Sequence, residues 1–136
     1  MTLLVLPDVE KAAVNYLAHQ ADVVAITSKV STEWLGAAPQ VQVHRLGGLP
    51  VTTSRPLFAA TAAMQFDAWG TTKAQARLLA DTLCGALSAW PDLQANPALY
   101  VSAVAFTQLP QWLPDEMYDP PAPRYVVDAD VTYRGS

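Results

Sequence analysis

Five of the eleven prolines in this chain fall in one segment, Thr107–Pro123: Pro110, Pro114, Pro120, Pro121 and Pro123. Proline has no backbone N–H and a fixed φ, so neither a helix nor a central strand is expected to pass through. The segment reads as a stiff surface excursion. It also carries Trp112, Tyr118 and the acids Asp115, Glu116 and Asp119. Other prolines punctuate the rest of the chain. Pro7 suits a helix start, Pro39 closes a bend at Gly36–Pro39, and Pro91 lies just past a helical stretch. Gly47-Gly48 and Pro50 are expected to stop a strand. The stretch Leu49–Thr61, with Pro50, Arg55 and Pro56, is too long for a tight hairpin turn. The expectation is therefore one domain, 1–136, with long loops at about 47–61 and 107–123.

Periodicity fills in the elements between. Val9, Ala12, Ala13, Tyr16 and Leu17 recur at helical spacing and predict a helix over Asp8–His19, with Asp8 and Glu10 at its positive end. A short helical turn is expected at Asp22–Ile26 and an extended piece at Val30–Leu35. Val41–Leu46 alternates, with Gln42 and His44 opposite Val41 and Val43. Ala63–Gly70 does the same, with Met64, Phe66 and Ala68 inward and Gln65 and Asp67 outward. Thr72–Trp90 is the strongest helix: Thr72 and Gln75 make a capping-box pattern, and Ala76, Leu79, Leu83, Ala86, Leu87 and Trp90 form its apolar stripe. Leu99–Phe106 and Arg124–Arg134 are the closing strands. In the last, Tyr125, Val127, Ala129, Val131 and Tyr133 share one face, and Asp128 and Asp130 share the other. This order predicts an α+β fold, a mainly antiparallel sheet of four to five strands with two helices packed on one face.

Chemistry is harder to find. A single cysteine, Cys84, sits beside the helical stripe and cannot form an internal disulfide or anchor a zinc site. His19 and His44 lie outside any metal-ligand spacing, and His44 has no acid or serine at a telling distance in sequence. No nucleophile elbow, phosphate loop or dinucleotide fingerprint occurs. The reading is therefore not an enzyme, with no cofactor and no metal. One alternative stands against it: a small metal-binding or enzymatic α+β domain using Asp115, Glu116, Asp128 and Asp130. A strand-adding adaptor module is a further possibility. A net charge of −4 argues against general nucleic-acid binding, which wants a basic footprint, and no sequence-specific binding is expected. No apolar run reaches the roughly 20 residues of a membrane span, and no basic residue precedes the first apolar run as in a secretory signal.

Charge and composition point elsewhere. Residues 1–77 hold five acids and six bases, whereas residues 78–136 hold seven acids and two bases. With 51% hydrophobic residues and only 15% charged, against roughly 25% charged in an average soluble protein, such a chain is expected to cover part of its surface with other chains. Tryptophan at 112, in a loop among acids, fits a contact residue as well as a loop anchor.

Four stretches carry a resemblance: Leu6-Pro7-Asp8-Val9-Glu10, Val41-Gln-Val-His-Arg-Leu-Gly-Gly, Gln65-Phe-Asp-Ala-Trp-Gly with the long helix after it, and Pro123-Arg-Tyr-Val-Val-Asp-Ala-Asp-Val-Thr. In their order and texture they resemble the tail terminator or tail-completion proteins of long-tailed bacteriophages. The resemblance implies a non-enzymatic homo-oligomeric ring, typically a hexamer. Such a ring caps the tail tube protein, stops its polymerisation and meets the head–tail connector protein. It implies a place in the virion tail or neck, and in the host cytoplasm during assembly. A head-completion or neck protein is the neighbouring alternative. Contacts would come from Arg45, Arg55, Leu57, Phe58, Trp112, Asp115, Glu116 and Tyr118. Asp128 and Asp130 would lie near a lumen through which DNA passes.

Overall fold

The structure is a computed structural model that describes residues 7–50, 59–94, 99–118 and 120–135. Helix α1 spans Val9–Ala18, and its N-cap Asp8 accepts the Lys11 N–H at 3.0 Å, answering one of the donors a helix start leaves open. A single turn, α2 (Ala21–Val24), follows. The strands are β1 (Val30–Ser31), β2 (Gln40–Pro50), β3 (Ala59–Trp69), β4 (Leu99–Trp112) and β5 (Arg124–Gly135), with α3 at Lys73–Ala89 between β3 and β4. One five-stranded sheet results, in the order β1-β2-β3-β5-β4. All its pairs are antiparallel except β1 with β2. The fold is α+β, as the order of elements predicts.

The core lies between one sheet face and the helices. Val41, Val43, Met64, Phe66, Val127 and Val131 meet Tyr16 and Leu17 of α1 and Leu79, Leu83 and Leu87 of α3 in one buried cluster. At the end of α3 a 3₁₀ turn, Trp90–Asp92, buries Trp90 against Tyr16. The α3 start follows the capping expectation with one change. Thr72 Oγ1 accepts from Gln75 N, but the Gln75 side chain reaches back to Thr71, whose N–H and hydroxyl both donate to Oε1.

Three boundaries differ from the sequence reading. First, Gly47-Gly48 does not end β2. The strand bulges between Arg45 and Gly47 and runs on to Pro50 against β3, so within the expected loop at 47–61 residues 47–50 and 59–61 are strand, and 51–58 lie outside the described residues. Glycine is needed there because a Cβ on Gly48 would lie 2.1 Å from the Thr61 carbonyl oxygen. Second, β4 continues through Pro110 to Trp112, well into the expected loop at 107–123. This is allowed because β4 is an outer strand, whose far side needs no ladder donor. Third, the expected extended piece at Val30–Leu35 pairs only at Val30–Ser31. Beyond it the backbone is bonded by a side chain instead: Gln40 Nε2 donates to the Glu33 carbonyl at 2.6 Å, and Leu35 N–H donates to Gln40 Oε1 at 2.9 Å.

Gly70 joins β3 to α3 with no room to spare. A Cβ there would come within 2.4 Å of Ala76 N and 2.8 Å of the Thr72 carbonyl oxygen. Both are backbone atoms of the first helical turn and cannot rotate aside. Gly70→Ala is therefore expected to cost about 1–3 kcal/mol, read as a lower urea midpoint with an unchanged denaturant slope.

Candidate interaction surfaces

The sheet face opposite the helices carries Gln42 and His44 from β2, Gln65, Asp67 and Trp69 from β3, and Arg124, Asp128 and Asp130 from β5. At the Trp69 end this face is roofed. Because Gln40 holds the 33–35 backbone, Trp34 is laid on Trp69, with ring centres 4.4 Å apart, and Tyr118 meets Trp34 edge-on at 6.4 Å. The Arg124 guanidinium lies 5.1 Å over the Trp69 ring. Under this roof Asp67 is only 5% exposed. Its Oδ2 is 3.1 Å from His44 Nε2 and 3.8 Å from Arg124. The sequence reading places Asp67 outward, which is right for the strand face, and leaves His44 without an acid, which the structure corrects. Asp67 and His44 lie on the neighbouring strands β3 and β2, where linear spacing does not show the contact.

Burial holds the Asp67 carboxyl above the ordinary carboxylate range; His44 and Arg124 pull it back down and Asp128 pushes it up. The folded state thus keeps this proton more tightly than the unfolded chain does. The stability Asp67 contributes is present below its unfolded pKa and is lost as pH rises through the raised folded value. In a carboxyl-carbon NMR titration, Asp67 is expected to titrate above exposed aspartates. Asp128→Asn should lower its midpoint, and Asp67→Asn should flatten the stability curve over that interval. A midpoint at or below that of exposed aspartates would contradict this assignment.

The second surface is the β4–β5 hairpin end. Trp112 packs 5.2 Å from Tyr125 and lies under the Lys73 ammonium at 4.7 Å, so it anchors the hairpin to the start of α3. Past it, Leu113 N–H donates to the Arg124 carbonyl, and Asp115 and Ala122 exchange two backbone bonds of 2.9 and 3.0 Å. Met117 N–H donates to Asp115 Oδ1, closing the tip. Glu116, Met117 and Tyr118 are exposed, and Asp115 is half-buried. The third surface is the β2–β3 arm, where Leu46 and Leu49 stand out in solvent. Arg45 is exposed on it, and its backbone N–H donates to Glu10 Oε2 of α1. Arg55, Leu57 and Phe58 lie outside the described residues.

Asp128 and Asp130 share the face that the helices leave open, and one Asp128 carboxylate oxygen is buried without a partner. They are not assembled with Asp115 and Glu116. Those two sit at the hairpin tip, while Asp128 is four strand positions past Arg124, roughly 13 Å along β5. Among the described residues no group of three or more His, Cys, Asp or Glu side chains could hold a metal ion. Two grooves border α3. One of about 620 Å³ lies against α2, with Ile26, Leu78, Ala89 and Leu93 in its wall. The other, of about 530 Å³, is bounded by Lys73, Ala74, Arg77, Leu78, Asp81 and Tyr125. Neither Met117 nor this groove follows from periodicity in the sequence. The signal for Met117 was its place between Glu116 and Tyr118 in a proline-bounded turn.

No described helix is long and apolar enough to cross a membrane. The chain matches no protein-family model and no curated protein.

Proposed function

We propose that this chain is a structural subunit of a bacteriophage virion, a tail terminator that closes into a ring on the end of the tail tube. It would stop the tube's growth and present a surface to the head-side connector. One observation carries the reading. Large exposed apolar side chains project from two β-hairpins, Leu46 and Leu49 on the arm and Leu109, Leu113 and Met117 on the β4–β5 end. Apolar side chains exposed along hairpins suit contact with other chains better than they suit enclosure of a small molecule. The basic start of α3, with Lys73 and Arg77, and the acidic hairpin end, with Asp115 and Glu116, support head-to-tail contacts between copies, since unlike surfaces must meet when a ring closes by rotation. The order helix, strand, long hairpin, helix, two strands also agrees with the resemblance in the sequence.

Light scattering and negative-stain imaging test the assembly. Closed rings of several subunits are expected, alone or on purified tail tubes. A chain that stays monomeric and never caps tubes would sink the reading. Disabling the gene separates this role from its neighbour: overlong tails are expected, whereas filled heads that leak would mark a head-completion protein instead.

A further inference from the structure

We propose that Met117, at the tip of the β4–β5 hairpin, docks into the groove between α3 and Tyr125 of a second copy of this chain. The contact rests on the ring-forming reading and gives it a place. Met117 is 91% exposed, the most exposed of the large apolar side chains among the described residues. It is held out rather than left loose: the Asp115–Ala122 bonds, the Asp115 cap on Met117 N–H and the Arg124 Nε bond to the Leu113 carbonyl fix the turn beneath it. A fixed turn loses little freedom on docking, and an unbranched thioether adapts to an irregular wall.

The groove fits this tip in both polarity and charge. Its walls include Ala74, Tyr125 and Leu78, the last more than half exposed, and Lys73 and Arg77 stand at its rim. Among the described residues Lys73 has no carboxylate partner. Arg77 has only the exposed Asp81, 3.8 Å away, a pairing that contributes little. The first turn of α3 holds no acid, so the positive end of the helix adds to the same field. The tip brings the complement, an apolar side chain with Asp115 and Glu116 beside it. Two tips would repel each other, and so would two rims, so tip must meet groove.

A copy cannot fill its own groove with this tip as folded. Tyr118 is bound to the Trp34–Trp69 roof on the open sheet face, while Tyr125 belongs to the helix-covered face. Nor does the free edge of β4 offer an easier contact. It is broken by three register shifts and carries Pro110, features that blunt strand-to-strand pairing.

The test joins cross-linking to mass measurement. In a Cys84→Ala background, Met117→Cys with Ala74→Cys is expected to give, on mild oxidation, a ladder of covalent dimers, trimers and higher species. Dimers alone would support the contact but overturn the ring, because they signal a two-fold pair. Assemblies seen by light scattering with no cross-link would overturn the contact and leave the ring standing. A chain monomeric and never cross-linked, both alone and with purified tail tubes, would overturn both. Met117→Asp, at an exposed position that should not disturb folding, is expected to weaken self-association about 10- to 100-fold. Lys73→Glu with Arg77→Glu should weaken it as well, and adding Glu116→Lys, which leaves the Asp115 cap on Met117 N–H in place, should recover part of it. Unchanged association in Met117→Asp would overturn the contact.

Discussion

Trp90→Ala is expected to lower the unfolding free energy by about 3–5 kcal/mol, a large part of the roughly 5–15 kcal/mol that holds a domain folded. Trp90 is 2% exposed and stacks on Tyr16 with ring centres 4.9 Å apart and planes 11° from parallel. The pair closes one end of the core: Tyr16 comes from α1, and its hydroxyl donates to the Ala86 carbonyl of α3 at 2.6 Å. Burial raises the Tyr16 phenol pKa, so that proton stays on through the neutral range. Next to Trp90, Gln94 exchanges two bonds with the Val101 backbone, tying the 3₁₀ turn to β4. Removing the indole therefore opens a cavity where α1, α3 and β4 meet. Tyr16→Phe removes only one hydrogen bond and is expected to cost about 1 kcal/mol. A cycle of Trp90→Ala with Tyr16→Leu, which removes the stacking ring, should show a coupling of roughly 0.5–1.5 kcal/mol beyond additivity. Urea unfolding followed by circular dichroism measures all three, and a loss under 1 kcal/mol in Trp90→Ala would show that the stack is not structural.

The second large effect is expected at Gln40. This side chain is fully buried and serves the Glu33 carbonyl and the Leu35 N–H at once. Alanine would strand two backbone groups, each costing about 1–3 kcal/mol when left unmet, so Gln40→Ala should lose roughly 2–4 kcal/mol. The loss should come with a visible sign. With the 33–35 backbone released, Trp34 lifts from Trp69, and the tryptophan emission of the native state moves to longer wavelength. Gln40→Glu keeps the acceptor for Leu35 but sets an oxygen against the Glu33 carbonyl and a charge in a fully buried site, so it should be no milder than alanine. Emission identical to the parent in Gln40→Ala would mean that something other than Gln40 holds the roof.

These two positions also mark where the sequence was readable and where it was not. Helical spacing put Trp90, Tyr16 and the α3 stripe inside the core, and two-residue alternation sorted β3 and β5 onto their correct faces. Both signals are local, and both are set by burial against a single partner layer. What they could not show were contacts made across the sheet. Asp67 is buried on the open face only because Trp34 and Arg124 arrive there from distant parts of the chain. Gln40, one residue before the expected strand, gave no hint that it would replace strand pairing beyond Ser31. Glycine pairs and prolines misled in the other direction. Gly48 is the residue that lets two strands approach closely, and Pro110 is harmless on an outer strand, so each lies inside an element it was expected to end. Among the expected contact residues, Trp112 turned out to anchor the hairpin, while Asp115 and Glu116 flank an exposed methionine that alternation and helical spacing alone would never single out.

The sheet order has a consequence for the birth of the molecule. β5 follows every other element in the chain, yet it lies between β3 and β4 and hydrogen-bonds to both. While a ribosome makes the chain at roughly 5–20 residues per second, β3 waits on the order of several seconds with one edge bare. The β2–β3 hairpin and α3 can form in that interval, but the β3 edge that faces β5 stays unpaired. The described sheet is completed only when β5 brings Tyr125, Val127, Ala129, Val131 and Tyr133 to the core face, and until then the bare edge of β3 is open to pairing with another chain.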